Sequence, residues 1–102
     1  MIFSANTIAA TNQEQPKIIT GKILDANGIS LPGVNVLLKN TSKGVITDFD
    51  GHYSIQVDSD KALLVFSYLG FQTKEILVGN QLTINVTLKE EMAELDEIVI
   101  VG

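Results

Sequence analysis

Residues 31–57 read LPGVNVLLKNTSKGVITDFDGHYSIQV and contain three short apolar runs separated by residues that favour turns. Apolar and polar side chains alternate in residues 34–39 and again in residues 53–57, which is the period of a half-buried β-strand. A short β-branched run, residues 45–47, lies between them. We expect the three runs to form a meander whose apolar face must be covered by a second sheet, because it cannot bury that face alone.

Turn residues lie before the first of these runs and again before the last. Pro32 presets a φ angle suited to a turn, and Gly33 after it tolerates positive φ. The second turn runs from Asp48 through Phe49 and Asp50 to Gly51, and we expect positive φ at Gly51. The sequence therefore assigns Pro32, Gly33, Asp48 and Gly51 as the structural turn residues.

Strand signals continue on both sides of this stretch. Residues 17–25 predict a first strand, with Gly21 at a bulge or a close approach. Residues 62–68 are apolar on both faces, which is typical of a central strand covered on both sides. Residues 72–78 carry charges typical of an edge strand, and residues 82–88 alternate most regularly. About seven short strands and no convincing helix predict an all-β, antiparallel β-sandwich of immunoglobulin-like or transthyretin-like type.

The predicted sandwich occupies residues 17–88, and the two ends of the chain differ from it in composition. Residues 1–16 are rich in Thr, Asn, Gln and Ala, and they are interpreted either as a signal-peptide remnant or as a disordered N-terminal tail. Residues 89–102 combine an acidic linker with a run of β-forming residues. We expect both tails to be flexible.

Length and charge exclude several classes of function. A chain of 102 residues forms one domain with tails. The net charge is −5, so the surface repels phosphate backbones and we expect no nucleic-acid partner. The absence of cysteine excludes disulfides, thiolate catalysis and cysteine-ligated zinc. No apolar run approaches the roughly 20 residues of a transmembrane helix, so we expect the chain not to span a membrane by itself.

Catalytic and metal-binding signals are weak. His52 is the only histidine and follows Gly51 at the start of a strand, where we expect a surface side chain. Ser67 does not lie in a nucleophile elbow. The Asp48 to Gly51 turn resembles half of a calcium loop, but the third acidic position and the distal bidentate Glu are missing. We therefore predict a non-enzymatic domain without cofactor or metal, with calcium binding at this turn as the alternative.

The C-terminal residues DEIVIVG, at positions 96–102, are β-forming and do not alternate. Such a segment is an aggregation hazard when it is left free, and Glu94, Asp96 and Glu97 flank it as gatekeepers. One interpretation is a strand of the core. The other is a peptide that adds as a strand to the sheet of a partner.

The sandwich motifs and the C-terminal segment, in the order in which they occur along the chain, resemble the carboxypeptidase-D regulatory-like domain at the N-terminus of SusC-like TonB-dependent transporters of Bacteroidetes outer membranes. The resemblance covers residues 17–102. Its sandwich motifs are GKI at 21–23, LPGV at 31–34, TD at 47–48, Gly51, Tyr53 and FSYLGF at 66–71. The residues that resemble the TonB box of these proteins are Asp96, Glu97, Ile98, Val99, Ile100 and Val101.

The resemblance implies a sandwich on the periplasmic side of the outer membrane, ahead of a plug and a barrel. It also implies that the C-terminal domain of TonB binds residues 96–101 by β-augmentation, and that a SusD-like lipoprotein binds the barrel. Such transporters import glycans or peptides. Because neither plug nor barrel follows Gly102, we expect a fragment, a truncated reading frame or an isolated domain that cannot transport by itself. The alternative function is a free-standing secreted adhesion or carbohydrate-binding module.

Overall fold

The computed structural model describes residues 16–91, which contain seven β-strands and no helix. The predicted all-β sandwich is confirmed, because the strands form one sheet of three and one sheet of four. In chain order the strands are β1 (Lys17–Asp25), β2 (Asn35–Leu38), β3 (Gly44–Ile46), β4 (His52–Val57), β5 (Leu63–Ser67), β6 (Lys74–Leu77) and β7 (Val86–Leu88).

The first sheet has the order β4-β1-β7 and the second has the order β3-β2-β5-β6. All neighbouring strands are antiparallel except β1 and β7, which run parallel with Ile23 opposite Val86 and Asp25 opposite Leu88. The sandwich is antiparallel, as expected, apart from this one pair. The reason is the path of the chain: β6 returns to the end where β1 begins, so β7 starts there and runs in the same direction as β1.

The expectation of one meander over residues 31–57 is wrong. β2 pairs with β3, but β4 pairs with β1 in the other sheet, from Lys17 opposite Val57 to Lys22 opposite His52. The 48–51 turn carries the chain across the sandwich. The apolar residues of β2 and β4 therefore face each other across the core, because the two strands lie in different sheets.

The core lies between the two sheets. Leu64 and Phe66 of β5 are both fully buried, as the sequence predicts. Leu63 and Val65, on the opposite face of β5, are only half-buried. The expectation that β5 is covered on both sides is wrong, because the outer face of the second sheet has no further layer over it within residues 16–91. The other fully buried side chains are Ile19, Ile23, Leu88, Val34, Val36, Val57 and Val78.

The alternating run at residues 82–88 is only partly a strand. Leu82 is 58% exposed, although the alternation places it on the face of the buried Ile84. The Lys22 N–H donates to the side-chain Oδ1 of Asn85 at 2.9 Å instead of to a backbone carbonyl. This side chain replaces a ladder bond, so regular pairing with β1 begins only at Val86.

Replacing Leu64 with Asp should unfold the domain. The change buries an unpaired charge in a fully enclosed position, and even large-to-small changes in a core cost about 2–5 kcal/mol. Thermal melting followed by circular dichroism measures the effect. Leu82→Asp is the matched control, because Leu82 is exposed, and it should melt close to the wild type. A Leu64→Asp variant with the wild-type melting temperature would contradict the assignment of β5 to the core.

Candidate functional site

The residues that resemble a TonB box, 96–101, lie outside the described residues. The structure instead describes the part of the chain that leads to them, which we call the exit. That exit consists of β7 and residues 89–91.

The exit is fixed to the sandwich by burial and by backbone hydrogen bonds. Leu88, the last residue of β7, is 1% exposed. Beyond it, the Gln72 N–H donates to the carbonyl of Lys89 at 2.8 Å, and the Glu91 N–H donates to the carbonyl of Gly70 at 2.8 Å. The chain is therefore held as far as Glu91, beside the turn that follows β5.

The exit lies at the opposite end of the sandwich from the start of β1. At the β1 end, the Lys17 ammonium contacts the Asp60 carboxylate at 2.6 Å and the carbonyl of Gly79 at 2.8 Å. Because β1 and β7 are parallel, the chain enters at this end and reaches Glu91 at the other. A nine-residue strand spans roughly 30 Å, so the domain places its two ends about that far apart.

An open groove lies beside the exit, between the outermost strands of the two sheets. Among the strands of residues 16–91, β6 and β7 each pair with a neighbour on one side only. The groove has a volume of about 210 Å³. Two of its lining residues, Lys74 and Lys89, are basic, and neither forms an ion pair within residues 16–91. The lining residues are Gln72, Thr73, Lys74, Thr87, Leu88 and Lys89.

The Asp48 side chain closes the turn between β3 and β4. Its Oδ1 accepts hydrogen bonds from the N–H of Asp50 at 2.9 Å and from the N–H of His52 at 3.0 Å. These bonds, the one from His52 above all, hold the pKa of the Asp48 carboxyl below its usual value. Asp48, Asp50 and His52 are exposed, with one potential ligand atom of each within 4.8 Å of the others. The bonds to Oδ1 give Asp48 a structural role in the turn.

Gly51 is required at this turn for two reasons. Its φ is +79°, a region that favours glycine. A Cβ atom there would lie 2.7 Å from the carbonyl oxygen of Ile23. That carbonyl accepts a bond from the Leu31 N–H at 2.9 Å, and the Ile23 N–H donates to the carbonyl of Gly51 at 2.9 Å. The turn is thus joined directly to β1.

The turn at Pro32 and Gly33 is held by a residue that sequence reasoning placed only in a strand. Thr47 is 5% exposed, and its hydroxyl donates to the carbonyl of Leu31 at 2.7 Å. The same oxygen accepts a bond from the Val34 N–H at 2.9 Å. Gly33 has φ +81°, and its N–H donates to the Thr47 carbonyl at 3.1 Å. A lone Thr at the end of a β-branched run carries no sequence signal for this role.

A second structural contact that the sequence did not reveal joins Tyr53 to the segment before β7. The Tyr53 hydroxyl donates to the carbonyl of Ile84 at 2.7 Å, and the ring meets Phe66 edge-on with centroids 5.6 Å apart. Burial raises the pKa of the Tyr53 phenol to about 12. Gly21 permits this approach, because a Cβ there would lie 1.9 Å from the Ile84 oxygen. The predicted close approach at Gly21 was the one available signal.

Within residues 16–91, no Asp, Glu, Lys or His side chain is buried. His52 is exposed and Ser67 is half-buried on the outer face of β5. In residues 16–91 no helix is long and apolar enough to span a membrane.

Residues 19–100 match the CarboxypepD_reg-like domain family. The chain is 40% identical over its whole length to TonB-dependent receptor P39 of Formosa agariphila, and covers 10% of that protein. It is 45% identical to TonB-dependent receptor P3 of the same organism, over 93% of the chain and 10% of the relative. It is 37% identical to TonB-dependent receptor SusC of Bacteroides thetaiotaomicron, over 82% of the chain and 8% of the relative. The chain thus spans about a tenth of the length of these relatives.

Among solved structures, the chain is similar to chains of two interface mutants of a type II Cohesin–X–Dockerin complex from Acetivibrio cellulolyticus. One superposes with a TM-score of 0.60 at 16% identity, covering 72% of this chain and 58% of that chain. The other has a TM-score of 0.55 at 20% identity, with coverages of 70% and 52%. At these identities the likeness supports the fold alone.

Replacing Gly51 with Ala should destabilise the domain more than replacing Gly28 with Ala. Both glycines have positive φ, but a Cβ at Gly28 meets no atom of residues 16–91 within 4 Å, whereas at Gly51 it meets the Ile23 oxygen. Gly28→Ala therefore measures the backbone cost, of order 1 kcal/mol, and Gly51→Ala adds the clash. Urea denaturation gives both free energies of unfolding. Equal losses would contradict the close contact of this turn with β1.

Replacing Tyr53 with Phe should cost about 1–3 kcal/mol at pH 7, because the Ile84 carbonyl loses its buried donor. The folded-state pKa of about 12 exceeds the unfolded value near 10, so Tyr53 stabilises fully below pH 10 and this contribution falls as the pH rises toward 12. The difference in unfolding free energy between wild type and Tyr53→Phe should therefore shrink over that range.

Tyr68→Phe is the matched control for this experiment. Tyr68 is half-buried, and within residues 16–91 its hydroxyl makes no described hydrogen bond. Its removal should leave the free energy of unfolding near the wild-type value at pH 7. A Tyr53→Phe protein as stable as Tyr68→Phe would show that the bond to Ile84 contributes nothing.

Proposed function

This chain belongs to the CarboxypepD_reg-like domain family, and we propose that it is a non-enzymatic accessory domain of a TonB-dependent outer-membrane nutrient importer. The similarity to several TonB-dependent receptors supports this proposal. In the proposal the sandwich lies at the periplasmic side of the outer membrane, ahead of a plug and a barrel. The barrel imports glycans or peptides together with a SusD-like lipoprotein.

The role of the domain in this proposal is to present Asp96 to Val101 as a TonB box. The supporting observation is the exit itself: the chain is held by backbone bonds as far as Glu91, at the end of the sandwich opposite Lys17. The seven strands of residues 16–91 all end before this segment begins. The segment therefore follows the described sheets in the chain, as a strand offered to a partner requires.

β-Augmentation explains how a segment of simple, β-forming sequence can bind a partner. An added strand binds the C-terminal domain of TonB mainly through main-chain N–H and C=O groups. Each such bond contributes a net of about 0.5–1.5 kcal/mol, while ordering each residue costs about 1–2 kcal/mol. The pairing is therefore weak and reversible. Side-chain contacts of Ile98 and Ile100 add favourable free energy to it. Such a linkage can be made and broken in each transport cycle.

One observation favours a second function, a free-standing secreted adhesion or carbohydrate-binding module. The outer face of the second sheet exposes apolar side chains, with Ile46 at 64%, Leu77 at 55% and Leu37 at 39% exposed. Exposed apolar side chains on one sheet face favour an interaction site there. Sequencing the gene beyond the codon for Gly102 distinguishes the two, since the importer requires a plug and a barrel there.

Replacing Val99 with Pro should abolish energised uptake by the full transporter. Proline removes one backbone donor and restricts the preceding residue, so the added strand cannot pair. Folding of the sandwich and substrate binding at the barrel should persist, because Val99 lies beyond the seven strands. Uptake assays in cells, with melting of the isolated chain, measure both effects.

Ala93→Pro is the matched control, because it places proline in the linker before the TonB box. It should retain uptake. Uptake that survives in a folded Val99→Pro transporter would contradict the TonB-box assignment. If Val99→Pro unfolds the isolated chain, the segment is a strand of the core instead.

A further inference from the structure

We propose that residues 98–101 also pair within their own chain, along the open edge of β6. While they are paired there, they cannot bind TonB. This inference rests on the proposed function and adds a regulatory contact to it. The occupant is a segment of this chain that leaves the described structure beside the groove. Within residues 16–91, β6 is the last strand of its sheet and pairs only with β5.

The hydrogen-bond pattern identifies the backbone groups that are open on β6. The Val78 N–H donates to the carbonyl of Ala62 at 2.9 Å, which makes these two residues a bonded pair. Bonded and non-bonded pairs alternate along an antiparallel ladder, so Ile76 is the next residue bonded to β5. The N–H and C=O groups of Glu75 and Leu77 consequently point away from β5, where an added strand can pair with them.

Few contacts within the described residues compete for this edge. Both Glu75 and Leu77 are exposed. The Glu75 carboxylate contacts the Lys39 ammonium at 3.1 Å, but this ion pair involves the side chain and leaves the backbone open. The Leu77 carbonyl accepts one long bond, from Gln81 Nε2 at 3.4 Å. Two N–H groups and two carbonyls are thus available to four or five residues of an incoming strand.

The chain is long enough to reach this edge. Glu91 is bonded to Gly70, and Glu75 lies five residues beyond Gly70, at most about 18 Å away along an extended chain. Residues 92–97 span up to about 20 Å, so Ile98 can lie beside Glu75. Pairing within one chain also has the advantage of a short tether, which gives an effective concentration of order millimolar.

Charge complements this geometry. The groove that separates β6 from β7 is bordered by Lys74 and Lys89. The segment that would enter it carries Glu94, Asp96 and Glu97 immediately before its apolar residues. In a chain of net charge −5, these two lysines without ion pairs in residues 16–91 form a local basic site for the acidic residues. The attraction favours this edge over an equally open edge without lysines.

Pairing in the chain and pairing with TonB exclude each other, because both use the same backbone groups of residues 98–101. A segment paired for nine-tenths of the time binds TonB with an apparent affinity about tenfold weaker than a free one. The sandwich would therefore set how readily the transporter engages TonB.

Hydrogen exchange on the full chain tests the contact directly. In the wild type, the amides of Glu75 and Leu77 should exchange about tenfold more slowly than in Val99→Pro, in which the added strand cannot form. The Ile76 amide, bonded to β5, should be unaffected, and Ala93→Pro should behave as the wild type. Exchange at Glu75 and Leu77 that is the same in wild type and Val99→Pro would overturn the proposal.

Binding to a purified TonB C-terminal domain tests the consequence. Glu75→Pro removes an outward N–H without removing a bond to β5, a place where edge strands accept proline. It should raise the affinity of the full chain for TonB about tenfold. Glu75→Ala removes the same carboxylate and keeps the N–H, so it should bind as the wild type. Equal affinities for wild type and a folded Glu75→Pro variant would overturn the proposal.

The two experiments separate this inference from the proposed function. If neither wild type nor Glu75→Pro binds TonB, the TonB-box assignment fails, while the exchange rates at Glu75 and Leu77 still decide the internal contact. If the chain binds TonB and those rates are the same in Val99→Pro, the function stands and the internal contact is overturned. If Glu75→Pro does not fold, the hydrogen-exchange experiment tests the internal contact by itself.

Discussion

The parallel pairing of β1 with β7 is the constraint on which the rest of the structure depends. It closes the first sheet, buries Leu88, and sends the chain out at the end opposite Lys17. The approach of the two segments requires Gly21, because any Cβ there would overlap the Ile84 carbonyl, which Tyr53 then binds. The position of Glu91, at the end of the described chain, follows from this one contact between distant parts of the chain.

Local patterns were sufficient to predict the strands but not their partners. Alternation in β4 and the turn residues Asp48 and Gly51 indicated where elements begin and end, and these signals act over a few residues. Turn residues of the same kind occur where a chain returns to its own sheet and where it crosses to the other sheet. The sequence therefore placed β4 in the wrong sheet. The parallel β1–β7 pair could not be predicted either, since residues 23 and 86 are brought together only by the complete path of the chain.

The candidate site shows the same division. The order of motifs predicted the family, which the similarity to known proteins confirms. The TonB box and its partner stay predictions, because residues 96–101 lie outside the described residues. The charges of residues 72–78 indicated an edge strand, and within residues 16–91 β6 is the last strand of its sheet. The groove with Lys74 and Lys89 had no sequence signal, because it exists only once β6 and β7 lie at neighbouring edges of the two sheets. Thr47 likewise gains its role only when residues 31–34 fold beside it.

The central claim is that residues 98–101 act as a strand for a partner and are not part of the core. Nuclear magnetic resonance spectra of the isotope-labelled chain, recorded as unlabelled TonB C-terminal domain is added, test it most directly. Amide signals of residues 98–101 should shift, while those of core residues such as Ile19 and Phe66 stay in place. Shifts spread through the core, or no shift at residues 98–101, would contradict it.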